Sequence, residues 1–293
     1  MTDAKIKYRL KGHESFTLRE GWLTKGIMAV RRKPDLFSEN FGADELGVGT
    51  NMAKSIRYWL KCSGLTEEKT KGEVALTALG ECLLKEDAYF EDDFSLWLLH
   101  ANIVRNFEQA TSWYLFFNEY EQEAFTRKEM VQEMRERLMA RLGLNEITER
   151  SLSDDCDAIL HMYSGGAGHE VNPEEKKYSP FYRLGLLREQ DGVYRREQPD
   201  LKKMDALVVL YVMQYILEPE KEFYCISVEK LLRAENSPGR ILQLRRSFLM
   251  QYLEELEQKG YLWLNRTAGL DMVYQKRIVT TDKILENYFG GKK

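Results

Sequence analysis

His13 and Glu14 stand side by side near the start of the chain, with Arg19 and Lys25 close behind. An imidazole can take a proton, a carboxylate can hold a cation, and Arg or Lys can stabilise charge developing on a phosphoryl group. Opening a phosphodiester needs such a set: a base, and a metal or fixed cations for the transition state. His13, Glu14 and Arg19 are therefore the candidate catalytic residues. Ser15 reads as the N-cap of a helix that runs through Leu18, Trp22 and Leu23, with Gly26 opening its exit. His13 and Glu14 would then reach past the helix end. The plain alternative is that Glu14 and Arg19 only tie this helix to its neighbour.

Other chemistry is sparse. The acidic groups Glu91-Asp92-Asp93 and Asp154-Asp155-Asp157 could hold Mg2+ or Mn2+ with substrate oxygens, but each opens a helix, where the dipole alone favours acids. The metal ligands stay unassigned. His13, His100, His161 and His169 show no ligand spacing, and no GxSxG elbow, Walker loop or dinucleotide fingerprint is present. The glycine-rich Ser164-Gly-Gly-Ala-Gly168 lacks a following Lys-Ser/Thr, so it reads as a mobile loop. Cys62, Cys82, Cys156 and Cys225 form no CxxC pair and read as ordinary buried thiols.

The elements that would position this chemistry suggest a nucleic-acid reader. A short helix at 43–46, the turn Gly47-Val48-Gly49 and a second helix over 50–61 give helix-turn-helix order. At 100° per residue, Met52, Ile56, Trp59 and Leu60 fill one arc of that second helix. Asn51, Lys54, Ser55, Arg57, Tyr58 and Lys61 fall opposite, with no acid among them, and are the candidate DNA-binding residues. The stretch from Thr66 to Leu76 reads as a wing, and Thr77 as the cap of a further helix. The aromatic middle, from Trp97 to Tyr120, reads as core, and Thr126 with Glu129 as a capping box.

Near Asp200 a second winged order begins: a buried helix over 207–217, a short helix after Ser227, a long helix over 245–259, and strands at 261–264 and 272–274. Its long helix exposes Glu254, Glu255 and Glu257, which would repel phosphate. That end reads as a partner-binding or dimerisation module. The fold class expected is mainly α, with winged helix-turn-helix modules at both ends, a helical middle and small antiparallel wings. The expected domains are 1–108, 109–199 and 200–293.

The chain has 293 residues, 43% hydrophobic and 31% charged, with a net charge of −4. That supports a buried core and excludes wholesale disorder. No apolar run is long enough to span a bilayer, and the N-terminus lacks a secretory signal, so a cytoplasmic protein is expected. Residues 1–62 nevertheless hold 12 Lys/Arg against 7 Asp/Glu. A locally basic end can bind a polyanion in an acidic chain.

Gly12, His13, Glu14, Phe16, Leu18, Arg19, Trp22, Leu23 and Lys25, followed by Leu46-Gly-Val-Gly49, Asn51, Met52, Ser55, Ile56, Arg57, Tyr58 and Trp59, carry a resemblance. It continues through Trp97, His100, Trp113, Phe125-Thr126, Ser179-Pro180 and Ser237-Pro238-Gly239. The chain resembles the SspB-type bacterial family associated with DNA phosphorothioation and phage-defence gene clusters. That resemblance implies binding to duplex DNA and nicking, so that sulfur replaces a non-bridging phosphate oxygen. It also implies sulfur-transfer proteins as partners, of the cysteine desulfurase and PAPS-reductase-like kinds. Two other functions stay open: a winged-helix transcriptional regulator, and a non-catalytic scaffold for the sulfur-transfer enzymes.

Overall fold

A computed structural model describes residues 6–165, 178–217, 224–267, 270–275 and 279–291. The glycine-rich stretch beyond residue 165, with His169, lies outside the described residues, as do the tip at 268–269 and the basic pair at 276–277. The chain packs as two compact units, Met1–Glu197 and Gln198–Lys293. Both are mainly helical, with small antiparallel sheets.

The first unit opens with α1 (Trp22–Arg32), α2 (Ala43–Leu46) and α3 (Thr50–Cys62), then the hairpin β1 (Thr66–Glu68) and β2 (Val74–Leu76). α1 crosses α3 closely because Gly26 has no side chain: a Cβ there would lie 2.7 Å from Leu60 Cδ1. Thr77 caps α4 (Ala78–Glu86) by accepting from Gly80 N. α5 (Asp93–Val104), past its first residue, and α6 (Thr111–Asn118) are buried along their length. They form the aromatic core expected, each large side chain there worth roughly 1.5–3 kcal/mol of burial.

β3 (Ala124–Thr126) leads into α7 (Arg127–Leu142), whose capping box is made: Glu129 N donates to Thr126 Oγ1, and Thr126 N donates to the Glu129 carboxylate. α8 (Glu149–Ser164) follows, then β4 (Leu187–Gln190) and β5 (Val193–Arg196). These strands form an antiparallel sheet in the order β3-β5-β4, which adds a small sheet to the helical middle expected. The strands are three or four residues long and mostly polar, so alternation has no room to show.

The second unit holds α9 (Ala206–Met213), β6 (Tyr224–Ser227), α10 (Val228–Arg233), α11 (Pro238–Ile241), α12 (Arg246–Gln258), β7 (Trp263–Thr267), β8 (Leu270–Gln275) and α13 (Thr281–Gly290). Its sheet runs β6-β8-β7. The two three-stranded sheets thus share one plan: helix, strand, helices, then a hairpin whose second strand sits in the centre. On α12 the acids are tied down within the unit: Glu254 pairs with Arg266, Glu255 with Lys259 at 2.7 Å, and Glu257 accepts from Leu264 N.

Candidate functional site

α3 is gripped on two sides, and that divides the six residues expected on its solvent face. Asn51 is exposed, and Lys54, Arg57 and Lys61 are half-buried along one stripe. Ser55 and Tyr58 are instead buried, a correction to the helical wheel. Ser55 Oγ donates to Phe16 O at 3.2 Å, and Tyr58 Oη donates to Gln109 O at 3.0 Å. The chain before α1 packs on this second side of the helix, with Trp59 Nε1 also donating to Phe16 O at 3.1 Å. A wheel assumes one buried arc, and here there are two.

Charge on the stripe is uneven. Arg57 forks onto Glu68 of β1, with Nη2 to Oε2 at 2.7 Å and Nε to Oε1 at 3.3 Å. Lys54 Nζ sits 4.5 Å from the centroid of the Phe41 ring. Lys54 and Lys61 make no ion pair among the described residues.

His13 lies on a turn before α1 rather than at a helix end, because α1 begins only at Trp22 with Gly21 as its cap. Ser15 is therefore no N-cap. Lys11, Glu14 and Ser15 all have left-handed backbone, with φ of 57°, 51° and 66°. Each such residue costs about 1–3 kcal/mol and persists only where packing over-determines it. Gly12 supplies that packing: a Cβ there would lie 2.3 Å from Tyr58 Cε2.

The turn delivers His13 into the core at 1% exposure. Its ring stacks on Trp59, with centroids 6.0 Å apart, and meets Trp113 edge-on at 5.6 Å. Its Nε2 lies 2.9 Å from Asp155 Oδ1. Asp155 accepts twice more, from Lys11 N at 2.9 Å and from Ser112 Oγ at 2.6 Å. His13 Nδ1 is buried with no partner among the described residues, and a buried polar atom left so costs about 1–3 kcal/mol.

His13 also lines an open cleft of 550 Å³, together with Ser15, Thr17, Asp154, Asp157, His161 and Tyr194. Asp154 pairs with Lys11 at 2.6 Å, and Asp157 takes a fork from Arg127. Partial burial and then the neighbouring Arg19 hold His161 below the ordinary histidine range. Arg19 stacks over Phe16 and Trp22, at 5.5 and 5.1 Å from their centroids, and burial lowers its pKa. Glu14 is half-buried and does not line the cleft. A larger groove of 670 Å³ follows α7, but its wall of Glu129, Glu133 and Glu136 is unfavourable to phosphate.

Asp155 is the residue that sequence reasoning missed in this role. Leu152, Asp155, Ile159 and Met162 keep helical spacing, so an acid falls on an apolar stripe. An acid there needs a buried partner.

The chain is similar to two crystal structures of SspB. One is magnesium-bound: the TM-score is 0.84 and the identity 25%, over 96% of this chain and 88% of that one. The other gives a TM-score of 0.82 and 24% identity over the same shares. Among the described residues of this chain, no group of three or more His, Cys, Asp or Glu could hold a metal. Both acidic groups singled out in the sequence are engaged within the protein, for Asp92 caps α5 and Asp93 pairs with Arg183 at 2.6 Å. The curated proteins include no match. Residues 10–289 match the family described as "Protein of unknown function (DUF4007)", and the chain belongs to that family.

Proposed function

We propose that this protein is the DNA-binding component of a bacterial DNA phosphorothioation system. It holds duplex DNA on α3 and nicks one strand at the cleft beside His13, so that sulfur can be inserted. The observation that carries the DNA reading is the acid-free stripe of Asn51, Lys54, Arg57 and Lys61 on α3. The helices that precede the other two hairpins, α8 and α12, instead carry half-buried Asp154, Glu254 and Glu255 and exposed Asp157 and Glu257. Only the first therefore suits a phosphate backbone. The order α1, α2, α3 and then the hairpin β1-β2 supports a winged-helix reading, in which α3 would enter the major groove. The likeness to SspB supports the phosphorothioation context.

On this reading His13, at the cleft, carries the nicking with Glu14 and Arg19 from the same turn beside it, and sulfur-transfer proteins dock on the DNA-bound complex. Residues 200–293 pair two copies of the chain. A transcriptional regulator is the second reading, favoured by the same order of elements with Asp92, Asp93, Asp154, Asp155 and Asp157 all held within the protein. Fluorescence anisotropy with a labelled duplex tests the DNA face. The double variant Lys54→Glu, Arg57→Glu should bind more weakly and with a shallower salt dependence. Unchanged binding at low salt would end the proposal.

A further inference from the structure

We infer that the exposed ring of Phe41 reads thymine, packing on its 5-methyl group in the major groove; this rests on the duplex-binding reading of α3 above. Phe41 lies between α1 and α2, where Asn40, Phe41 and Gly42 are left-handed in succession, with φ of 43°, 54° and 79°. Glycine takes that backbone freely and asparagine tolerates it, but a bulky side chain there is an outlier. Such a conformation persists only where its surroundings over-determine it. Here they do. A Cβ on Gly42 would lie 2.9 Å from Leu36 Cδ1, and Gly42 N donates to Glu39 O at 2.8 Å. Thr50 Oγ1, at the start of α3, donates to Asn40 Oδ1 at 3.2 Å, and Asn40 Nδ2 donates to Asp44 Oδ2 at 3.3 Å.

What this turn delivers is a ring that the core does not claim. Phe41 is 46% exposed, whereas Leu36 and Phe37 of the same segment are buried. Backbone strain held in place to expose an apolar ring points to a ligand for that ring. The position of the ring says which ligand. Lys54 Nζ sits 4.5 Å from its centroid, and the Arg57 guanidinium lies 5.1 Å from the centroid of Phe37. Two cations of the α3 stripe thus lean on this segment, and Phe41 extends the stripe as its apolar end. In the major groove the apolar feature of the base edges is the thymine methyl, which an aromatic ring can desolvate. Asn51, three residues before Lys54 on the same face, has the amide that suits adenine, so one A·T pair would be read on both bases. Wedges that unstack bases come instead from the minor groove, away from a helix docked as α3 is proposed to dock.

Anisotropy titrations of the full-length protein on a short duplex of alternating A and T, and on the same duplex with uracil in place of thymine, test this. Burying one methyl is worth about four-fold in affinity, so wild type should prefer the thymine duplex by at least about that factor. Phe41→Gly should lose this preference, binding more weakly to the thymine duplex and nearly unchanged to the uracil duplex. The loss should be equal at low and high salt, because an apolar contact releases no counterion. Glycine accepts the left-handed backbone, so the variant should melt within about 4 °C of wild type. Wild type binding both duplexes equally would overturn the inference, and so would an equal loss by Phe41→Gly on both, which would place the ring in the scaffold; the duplex-binding reading survives either result. Wild type binding neither duplex would end that reading and the role of Phe41 with it.

Discussion

Glu68→Gln should tighten DNA binding, an outcome that separates a phosphate-facing α3 from a merely solvated one. In the folded chain Arg57 is forked onto Glu68, with both side chains about one-third exposed, at 32% and 35%. Exposed pairs of this kind contribute about 0.2–1 kcal/mol to stability. Gln keeps the shape and drops the charge, so folding should lose no more than that. Two things then change at the DNA. A carboxylate near the phosphates disappears, worth about 1 kcal/mol per close charge pair in water, or roughly five-fold in affinity. Arg57 is also freed to make one further phosphate contact, which steepens the plot of log K against log salt by about 0.9. Between 50 and 200 mM salt one such contact is worth roughly 3.5-fold, so the gain over wild type should shrink by about that factor. Anisotropy titrations at four salt concentrations read both quantities, and Lys54→Glu should move them the opposite way. Equal slopes in wild type, Glu68→Gln and Lys54→Glu would refute the placement of α3 on phosphates.

Gly12→Ala should destabilise, since the added Cβ would meet Tyr58 Cε2 at 2.3 Å and Arg9 Nε at 2.7 Å. Overpacking costs about 1–3 kcal/mol, a Tm loss of about 2–4 °C per kcal/mol, and an unchanged thermal melt would contradict the packing of the His13 turn. His161 should give stability an acid limb. Its folded pKa is lowered by burial and by Arg19, so the unfolded chain binds more protons, and stability is lost as pH falls below the unfolded value near 6.5. Urea unfolding at neutral and mildly acidic pH should show a smaller loss for His161→Gln than for wild type; equal losses would be against it. Cys225 is exposed, whereas burial pushes the Cys62 thiol up to about 12 and Cys156 higher still. A thiol-reactive dye should label Cys225 in the native protein and reach Cys62 and Cys156 only on unfolding. Native labelling of Cys62 would show that the α1–α3 packing opens.

Local signals carried most of the helices, because a cap acts within four residues and leaves its mark there. Thr77, Thr126 with Glu129, and Ser227 each cap a helix start that the sequence alone marks, whereas Ser237 caps α11 where the sequence reads as a turn. The aromatic run from Trp97 to Tyr120 likewise announces a core, since no solvated surface accommodates that many rings. What the sequence hid is set by distant contacts. Left-handed backbone at Lys11, Glu14 and Ser15 replaces the expected helix start, and none of these residue types advertises it. The burial of Ser55 and Tyr58 depends on a turn some 40 residues upstream and on Gln109 downstream. The partner of His13 lies 142 residues away. One acid on the apolar stripe of α8 hints that some partner exists, and only the fold says which.

The central claim is that this chain binds duplex DNA and cuts one strand of it beside His13. Incubating purified wild type and His13→Gln with supercoiled plasmid, with and without added Mg2+, reads this on one gel. The account predicts open circles with wild type, intact supercoils with His13→Gln, and retarded plasmid with both. Retarded but uncut plasmid with wild type would instead indicate a DNA-binding regulator, and plasmid neither retarded nor cut would contradict the whole account.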